Sequence, residues 1–287
     1  MDFIKNMVSI KQEMKAYGFF PKKRLGQHFL VDRNILDKVI RAAQVGREDV
    51  VLEVGPGLGE MTIALARVAK RVIAVEIDAG LFEILKKKLA DTPQVEVVQS
   101  DILKVDFKHF FRKEGQSIKV VANLPYQITT PLLFRFIEAK EVFSTFTLML
   151  QREVAERMAA PAGGKDYSPL SIFVQLFLDV SNRFFIKPSA FSPPPKVESA
   201  VVHMVWKERP MVEKKDEEWF KTVVRAGFGY RRKTLVNALK HSEIPLPEDF
   251  EAKMEKAEID PRRRPETLTI EEFIRLASVL KPEEIRN

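Results

Sequence analysis

The apolar positions of the chain change period several times, and those changes divide it. Within residues 1–24, Ile4, Val8 and Met14 share one side of a short amphipathic helix, which is followed by the basic run Lys22, Lys23, Arg24. A second helical period runs from Asn34 through Ile35, Leu36, Val39 and Ile40. Four short β-branched runs follow, at 50–54, 72–77, 95–98 and 118–122, separated by helix-period segments such as 61–68 and 81–89. Alternation of this kind predicts a parallel sheet with right-handed crossovers. The pattern continues with helices at 131–137 and 170–180 and a strand at 145–150. Runs at 183–186 and 200–206 are expected to close the sheet as a hairpin around the proline-rich loop 188–199.

The stretch 207–216 is charged, carries Pro210 and reads as a linker. Beyond it only helical periods occur, at 219–226, 234–239, 250–257 and 270–280, with Pro245, Pro247, Pro261 and Pro265 as breaks. The expected organisation is an α/β domain over residues 1–209, whose first 24 residues are a basic extension, and an all-helical domain over 210–287.

The strand ends carry the candidate chemistry. Glu53-Val54-Gly55-Pro56-Gly57-Leu58-Gly59 lies where the first of the four runs meets a helix, a place where glycines let a ligand approach the backbone. Its Gly-x-Gly-x-Gly spacing departs from the dinucleotide fingerprint, which argues against a nicotinamide dehydrogenase. Glu76 ends the second run and can accept both hydroxyls of a ribose. Asp101 ends the third and can accept from an adenine amino group, and Asn123 ends the fourth. Ligands of open parallel sheets bind outside the carboxyl ends of the strands, so these residues are expected to face one crevice.

Asn123-Leu124-Pro125-Tyr126 is the sharpest signal. An adenine amino nitrogen is a poor nucleophile because its lone pair is delocalised into the ring. The Asn123 side-chain oxygen and the Leu124 carbonyl can hold its two N–H groups, Pro125 biases Leu124 toward an extended conformation, and Tyr126 offers a face for stacking. At these residues the chain resembles the amino-methyltransferases, and more closely the ribosomal RNA adenine dimethyltransferases. The resemblance also covers Leu25-Gly26-Gln27-His28-Phe29-Leu30, the segment 191–199 (Phe-Ser-Pro-Pro-Pro-Lys-Val-Glu-Ser) and Arg231-Arg232-Lys233-Thr234-Leu235. It implies a Rossmann-like class I fold with a small C-terminal all-α domain, and S-adenosyl-L-methionine as methyl donor. It implies that the donor is held by His28, Leu30, Gly55, Glu76, Asp101 and Asn123, with Gln27 shaping the pocket beside Glu53 and Gly57, and that the target base stacks between Tyr126 and Phe191. The implied substrate is a pair of adjacent adenosines near the 3′ end of small-subunit ribosomal RNA, each dimethylated on N6.

Charge and composition narrow the remaining classes. A net charge of +7 over 287 residues favours a polyanionic partner. Lys22, Lys23, Arg24, Arg231, Arg232 and Lys233 are the expected RNA contacts, with 262–264 a third basic cluster, whereas Phe19, Phe20, Phe110, Phe111, Phe184 and Phe185 are expected in the core. The absence of cysteine excludes disulfides, thiolate zinc sites and the nucleophile that cytosine carbon-5 methylation normally needs. His109, His203 and His241 are scattered singly, so no metal site is expected. The first twenty residues lack the apolar run of a signal peptide, and no stretch is apolar enough to cross a bilayer, so a cytoplasmic or organelle-matrix protein with no membrane partner is expected, the cytoplasm first; a monomer is the expected state. Two alternatives remain: the related antibiotic-resistance type that methylates large-subunit RNA, and an assembly factor that keeps the fold without catalysis.

Overall fold

A computed structural model of the chain describes residues 10–209, 211–230 and 232–282, with the side chains of Lys11, Asn182 and Arg183 left aside. Ile4 and Val8 of the expected N-terminal helix, and Arg231, lie outside the described residues. In chain order the strands are β1 (Phe29–Leu30), β2 (Val50–Val54), β3 (Arg71–Glu76), β4 (Val95–Gln99), β5 (Ile118–Asn123), β6 (Phe143–Gln151), β7 (Leu178–Ile186), β8 (Phe191–Ser192) and β9 (Ser199–Trp206). The helices are α1 (Ile10–Ala16), α2 (Arg33–Ala43), α3 (Glu60–Ala66), α4 (Ala79–Lys88), α5 (Phe107–Phe110), α6 (Thr129–Glu138), α7 (Arg152–Met158), α8 (Pro169–Phe177), α9 (Glu217–Phe228), α10 (Leu235–Lys240), α11 (Phe250–Lys256) and α12 (Ile270–Leu280).

The chain divides into two compact units, one of Met1–Ala155 with Val180–Trp206, the other of Glu156–Asp179 with Lys207–Asn287. The first holds a seven-stranded sheet in the order β4-β3-β2-β5-β6-β9-β7. Strands β4 through β6 pair in parallel and β9 runs antiparallel to β6. β2 is buried at every position because a parallel strand in mid-sheet is covered on both faces. After β2 the chain builds outward through β3 and β4, then returns to lay β5 on the other side of β2. That reversal opens a crevice at the carboxyl ends of β2 and β5.

The second unit departs from the linear cut expected after residue 209, because α8 belongs to it. Most of that helix is buried, Phe173 meets Phe220 of α9 with ring centroids 6.5 Å apart, and Gln175 donates to the carbonyls of Met158 and Ala160. The apolar run 170–180 looks helical throughout, yet the chain turns extended at Leu178 to start β7. Trp219 of α9 donates to the Ala277 carbonyl of α12, and Phe228 stacks on Phe273, which fixes these helices against each other.

Candidate active site

Parallel register brings the strand-end residues to one edge. Glu76 is opposite Gln99, Val54 opposite Val75, and Asn123 opposite Met149. One cavity at this edge is lined by Gln27, His28, Leu30, Glu53, Gly55, Gly57, Glu76, Asp101, Asn123, Leu124 and Tyr126, among others. The sequence thus anticipated eleven of its walls from five separate segments.

The glycine turn has a steric cause. Gly57 sits at φ 62°, where side chains are disfavoured, and a Cβ there would come within 2.9 Å of the Phe29 ring. The turn points its Gly57 N–H at Glu76 Oε2, 3.4 Å away, while the Asp78 N–H reaches Glu76 Oε1 at 2.8 Å. Glu76 is therefore fixed by two backbone donors, and each oxygen keeps a lone pair for a ligand. Burial pushes its carboxyl up to about 7 against the pull of these donors, and neighbouring Asp78 adds to the rise.

Glu53 is more isolated. It is fully buried in β2, and neither carboxylate oxygen has a hydrogen-bond partner. Burial pushes it up to about 8; the Thr62 hydroxyl, which lies outside hydrogen-bonding geometry, opposes the rise and the Glu76 charge adds to it. An orphaned carboxylate on the wall of a cavity is costly unless a ligand or a proton satisfies it.

Across the crevice, the Asn123 amide donates from Nδ2 to the His28 carbonyl at 2.9 Å. That bond orients the amide and leaves Oδ1 as an acceptor. The Leu124 N–H is held by the Met149 carbonyl at 2.9 Å, and Pro125 packs 3.8 Å from where a Gly55 side chain would start. The Tyr126 hydroxyl bonds Ser199 Oγ at 2.7 Å, so its ring is tethered at the far end. His28 stacks on that ring, centroids 5.7 Å apart, and its Nδ1 lies 2.7 Å from the Pro193 carbonyl. A carbonyl only accepts, so Nδ1 carries the hydrogen. Asp101 caps the following turn through Oδ1, bonded to the Leu103 N–H at 3.0 Å.

Phe191 stands apart. It is 3% exposed, paired with Leu30 through the β1–β8 ladder, and packed with Val39, Ile186 and Val201. The sequence expectation that a base stacks on it is corrected: its ring faces the apolar core. Lys22 is also assigned differently, since its ammonium lies 2.8 Å from Asp78, whose side chain is wholly buried. Burial pushes the Asp78 carboxyl up, but Lys22 and the Leu81 and Gly80 N–H groups outweigh it and hold it below the usual range. Gln27 completes this clasp, accepting from the Lys22 N–H at 2.7 Å and donating to Asp78 at 3.3 Å. Sequence reasoning missed Asp78 and gave no role to Ser199, the last residue of the 191–199 segment. An aspartate placed just before a helix-period segment was the available sign of the first, because Asp78 caps α4. The 191–199 segment marks the second, but its bond to Tyr126 spans 73 residues of sequence.

In the second unit, the basic cluster 262–264 is largely neutralised from within. Arg263 grips Glu272 through both Nη atoms, Arg262 pairs with Asp260, and Arg264 lies 3.9 Å from Glu266. Arg232 is exposed, and the Lys233 ammonium lies over the Tyr230 ring, 4.9 Å from its centroid.

A parallel sheet that reverses order beside a glycine turn, with acidic residues at neighbouring strand ends and Asn-Leu-Pro-Tyr at the next, defines a class I methyltransferase. The chain belongs to the ribosomal RNA adenine dimethylase family, which it matches over residues 18–281. It is 42% identical to ribosomal RNA small subunit methyltransferase A of Bacillus cytotoxicus over 282 residues, 96% of this chain and 97% of that one. It is 43% identical to the protein of the same name from Bacillus mycoides over 276 residues, 94% of each. Among solved structures, a dimethyladenosine transferase from Plasmodium falciparum superposes with a TM-score of 0.71 at 31% identity, over 87% of this chain and 96% of that one. The 23S rRNA methyltransferase ErmE superposes with a TM-score of 0.64 at 26% identity, over 88% and 99%. Among the described residues, no helix is long and apolar enough to cross a membrane.

Proposed function

We infer that this protein transfers methyl groups from S-adenosylmethionine to the N6 amino groups of two adjacent adenosines near the 3′ end of small-subunit ribosomal RNA. The observation that carries the reading is the fixed Asn123 amide, with Nδ2 spent on His28 and Oδ1 left as an acceptor beside Tyr126. The cavity suits the donor: Glu76 offers spare lone pairs for ribose hydroxyls, Asp101 has a second oxygen for an adenine amino group, and the orphaned Glu53 carboxylate suits a cationic ligand. Bound there, S-adenosylmethionine supplies a methyl group on positively charged sulfur.

The chain's own residues do the positioning. Tyr126 carries the base on its ring, held in place by Ser199. Asn123 Oδ1 and the Leu124 carbonyl accept from the adenine amino group, turn its lone pair toward the methyl and stabilise the positive charge that develops on nitrogen. Once that nitrogen is cationic its proton is acidic enough to leave to water, so no general base is required. The large-subunit reading is favoured less, since identity to ErmE is 26% against 42–43% to the small-subunit relatives. Mass spectrometry of small-subunit and large-subunit RNA after incubation with purified protein tests the reading. N6,N6-dimethyladenosine confined to the small subunit supports it; methylation of the large subunit alone, or of neither, rejects it.

A further inference from the structure

Phe20 is 82% exposed, the most exposed large apolar side chain among the described residues. Sequence pattern places it in the core beside Phe19, but only Phe19 goes there: it is 8% exposed, edge-on to Phe29 at 6.1 Å, with its N–H on the Met14 carbonyl at 2.8 Å. Gly18 makes the difference. At φ 61° it ends α1 with a left-handed turn, after which Phe19 points in and Phe20 points out. Pro21 then restricts Phe20 to extended backbone. Beyond it, the clasp of Lys22 and Gln27 on Asp78 pins the loop. A single exposed apolar residue is ordinary on a protein surface, but this one is held out by a rigid mount that is anchored on both sides.

Its surroundings state the chemistry of what it meets. Lys23 and Arg24 follow it, both exposed, and Tyr17, 44% exposed, stands on the preceding turn. The loop then runs directly into the cavity wall, where Gly26 and Tyr126 line the same cavity and a Cβ placed on Gly26 would lie 4.0 Å from the Tyr126 backbone nitrogen. Six residues of chain reach at most about 20 Å, so Phe20 lies within a few nucleotides of a base stacked on Tyr126. Aromatic rings beside cations, next to a site that must receive an unstacked base, are the makings of a single-strand RNA platform.

We propose that Phe20 is a stacking platform for an unpaired nucleotide flanking the target adenosines, with Lys23 and Arg24 holding the adjoining phosphates. The proposal rests on the RNA-methyltransferase reading and adds to it a contact outside the catalytic cavity. The test measures binding of a small-subunit 3′-end hairpin with unpaired flanks, and of the same hairpin trimmed to a blunt stem. Phe20→Ala is expected to weaken the flanked hairpin about tenfold, as the loss of one base stack does, while the blunt stem, the salt slope and S-adenosylmethionine affinity stay as in wild type. Phe20→Trp restores binding, and its added fluorescence is quenched by the flanked hairpin only; Phe20→Leu does not restore it. Wild-type affinity in Phe20→Ala overturns the proposal, as does full rescue by Phe20→Leu, which marks an apolar surface for a protein partner. Equal weakening on both hairpins with a lowered Tm marks a structural residue and overturns it too. If wild-type protein neither binds nor methylates the RNA, the functional reading itself has failed; if it does both and Phe20→Ala matches it, only this proposal has.

Discussion

The cavity and the basic clusters were equally visible as sequence features, yet the structure treats them differently. Glu53 and Gly57, Glu76, Asp101 and Asn123 come from four separate segments and meet at one edge. Of the cationic residues expected to meet RNA, Lys22 is spent on Asp78; in the additional cluster, Arg263 is spent on Glu272. A strand-end residue has its place dictated by the parallel sheet around it. A lysine or arginine is long and flexible, and whether it faces solvent depends on an acidic partner that can lie anywhere in the chain. Motifs placed by backbone geometry therefore carry over to the fold as a set, whereas motifs placed by charge alone carry over only in part: Lys23, Arg24 and Arg232 stay exposed.

The comparison can be broken first at Asn123. Asn123→Ala is expected to lower the single-turnover methylation rate at least about a hundredfold, the usual cost of one electrostatic stabiliser in a catalytic site. RNA affinity changes little, because phosphate contacts carry most of it. A wild-type single-turnover rate would remove Asn123 from the mechanism and leave the family assignment standing.

Glu76 comes next. Glu76→Ala is expected to weaken S-adenosylmethionine binding by one to two orders of magnitude in calorimetry, since it removes an acceptor and leaves the Gly57 and Asp78 N–H groups unpaired. Melting temperature falls as well, and affinity equal to wild type would remove Glu76 from the site.

The third effect is on pH dependence. Glu53 and Glu76, pushed up to about 8 and about 7, hold protons in the folded protein that the unfolded chain releases near its ordinary 4.5. Their contribution is complete below that value and disappears as pH rises through 7 and 8, so the Tm of the ligand-free protein falls between pH 5 and 8. Glu53→Gln keeps a neutral side chain at every pH and makes the fall shallower, ending near pH 7. A Tm profile identical to wild type would mean that Glu53 is ionised throughout.

The sheet was legible from the sequence because its strands are rich in β-branched residues and its inner strands are buried, and the all-buried β2 coincides with its expected bounds. The site was legible because Asn-Leu-Pro-Tyr and the glycine turn adjoin strand ends. Four features were hidden, each for a local reason. The end of α8 was hidden because an apolar run does not reveal where helix gives way to strand. The inward face of Phe191 depends on its pairing with Leu30 across 161 residues of separation in sequence. Phe19 and Phe20 are chemically identical neighbours parted only by the backbone turn at Gly18. Lys22 and Lys23 are likewise parted only by Asp78.

The smallest expected effect sharpens the same comparison inside the helical unit, where two basic clusters look alike in sequence. Arg263 donates to Glu272 from Nη1 at 2.5 Å and Nη2 at 3.0 Å, and to the Thr267 carbonyl at 2.6 Å. Glu272 is also the return partner of the Thr269 capping box that starts α12. Arg263 thus secures a helix start, and Arg263→Gln is expected to lower stability by about 1 kcal/mol, the upper end of what ion pairs partly exposed to water contribute, because this one is bidentate. It should leave the slope of RNA affinity against salt unchanged, because a guanidinium already neutralised by a carboxylate displaces few counterions from phosphate. Arg232 and Lys233 sit in a turn, and Lys233 meets a Tyr230 ring that is itself 41% exposed. Replacing both by Gln should leave Tm in place and reduce the salt slope by about 2, one for each phosphate that is no longer neutralised. The pair of measurements separates cations that build the unit from cations that read RNA. If Arg263→Gln flattened the slope without lowering Tm, the internal ion pair would not survive contact with RNA, and the distinction drawn between the two clusters would fall.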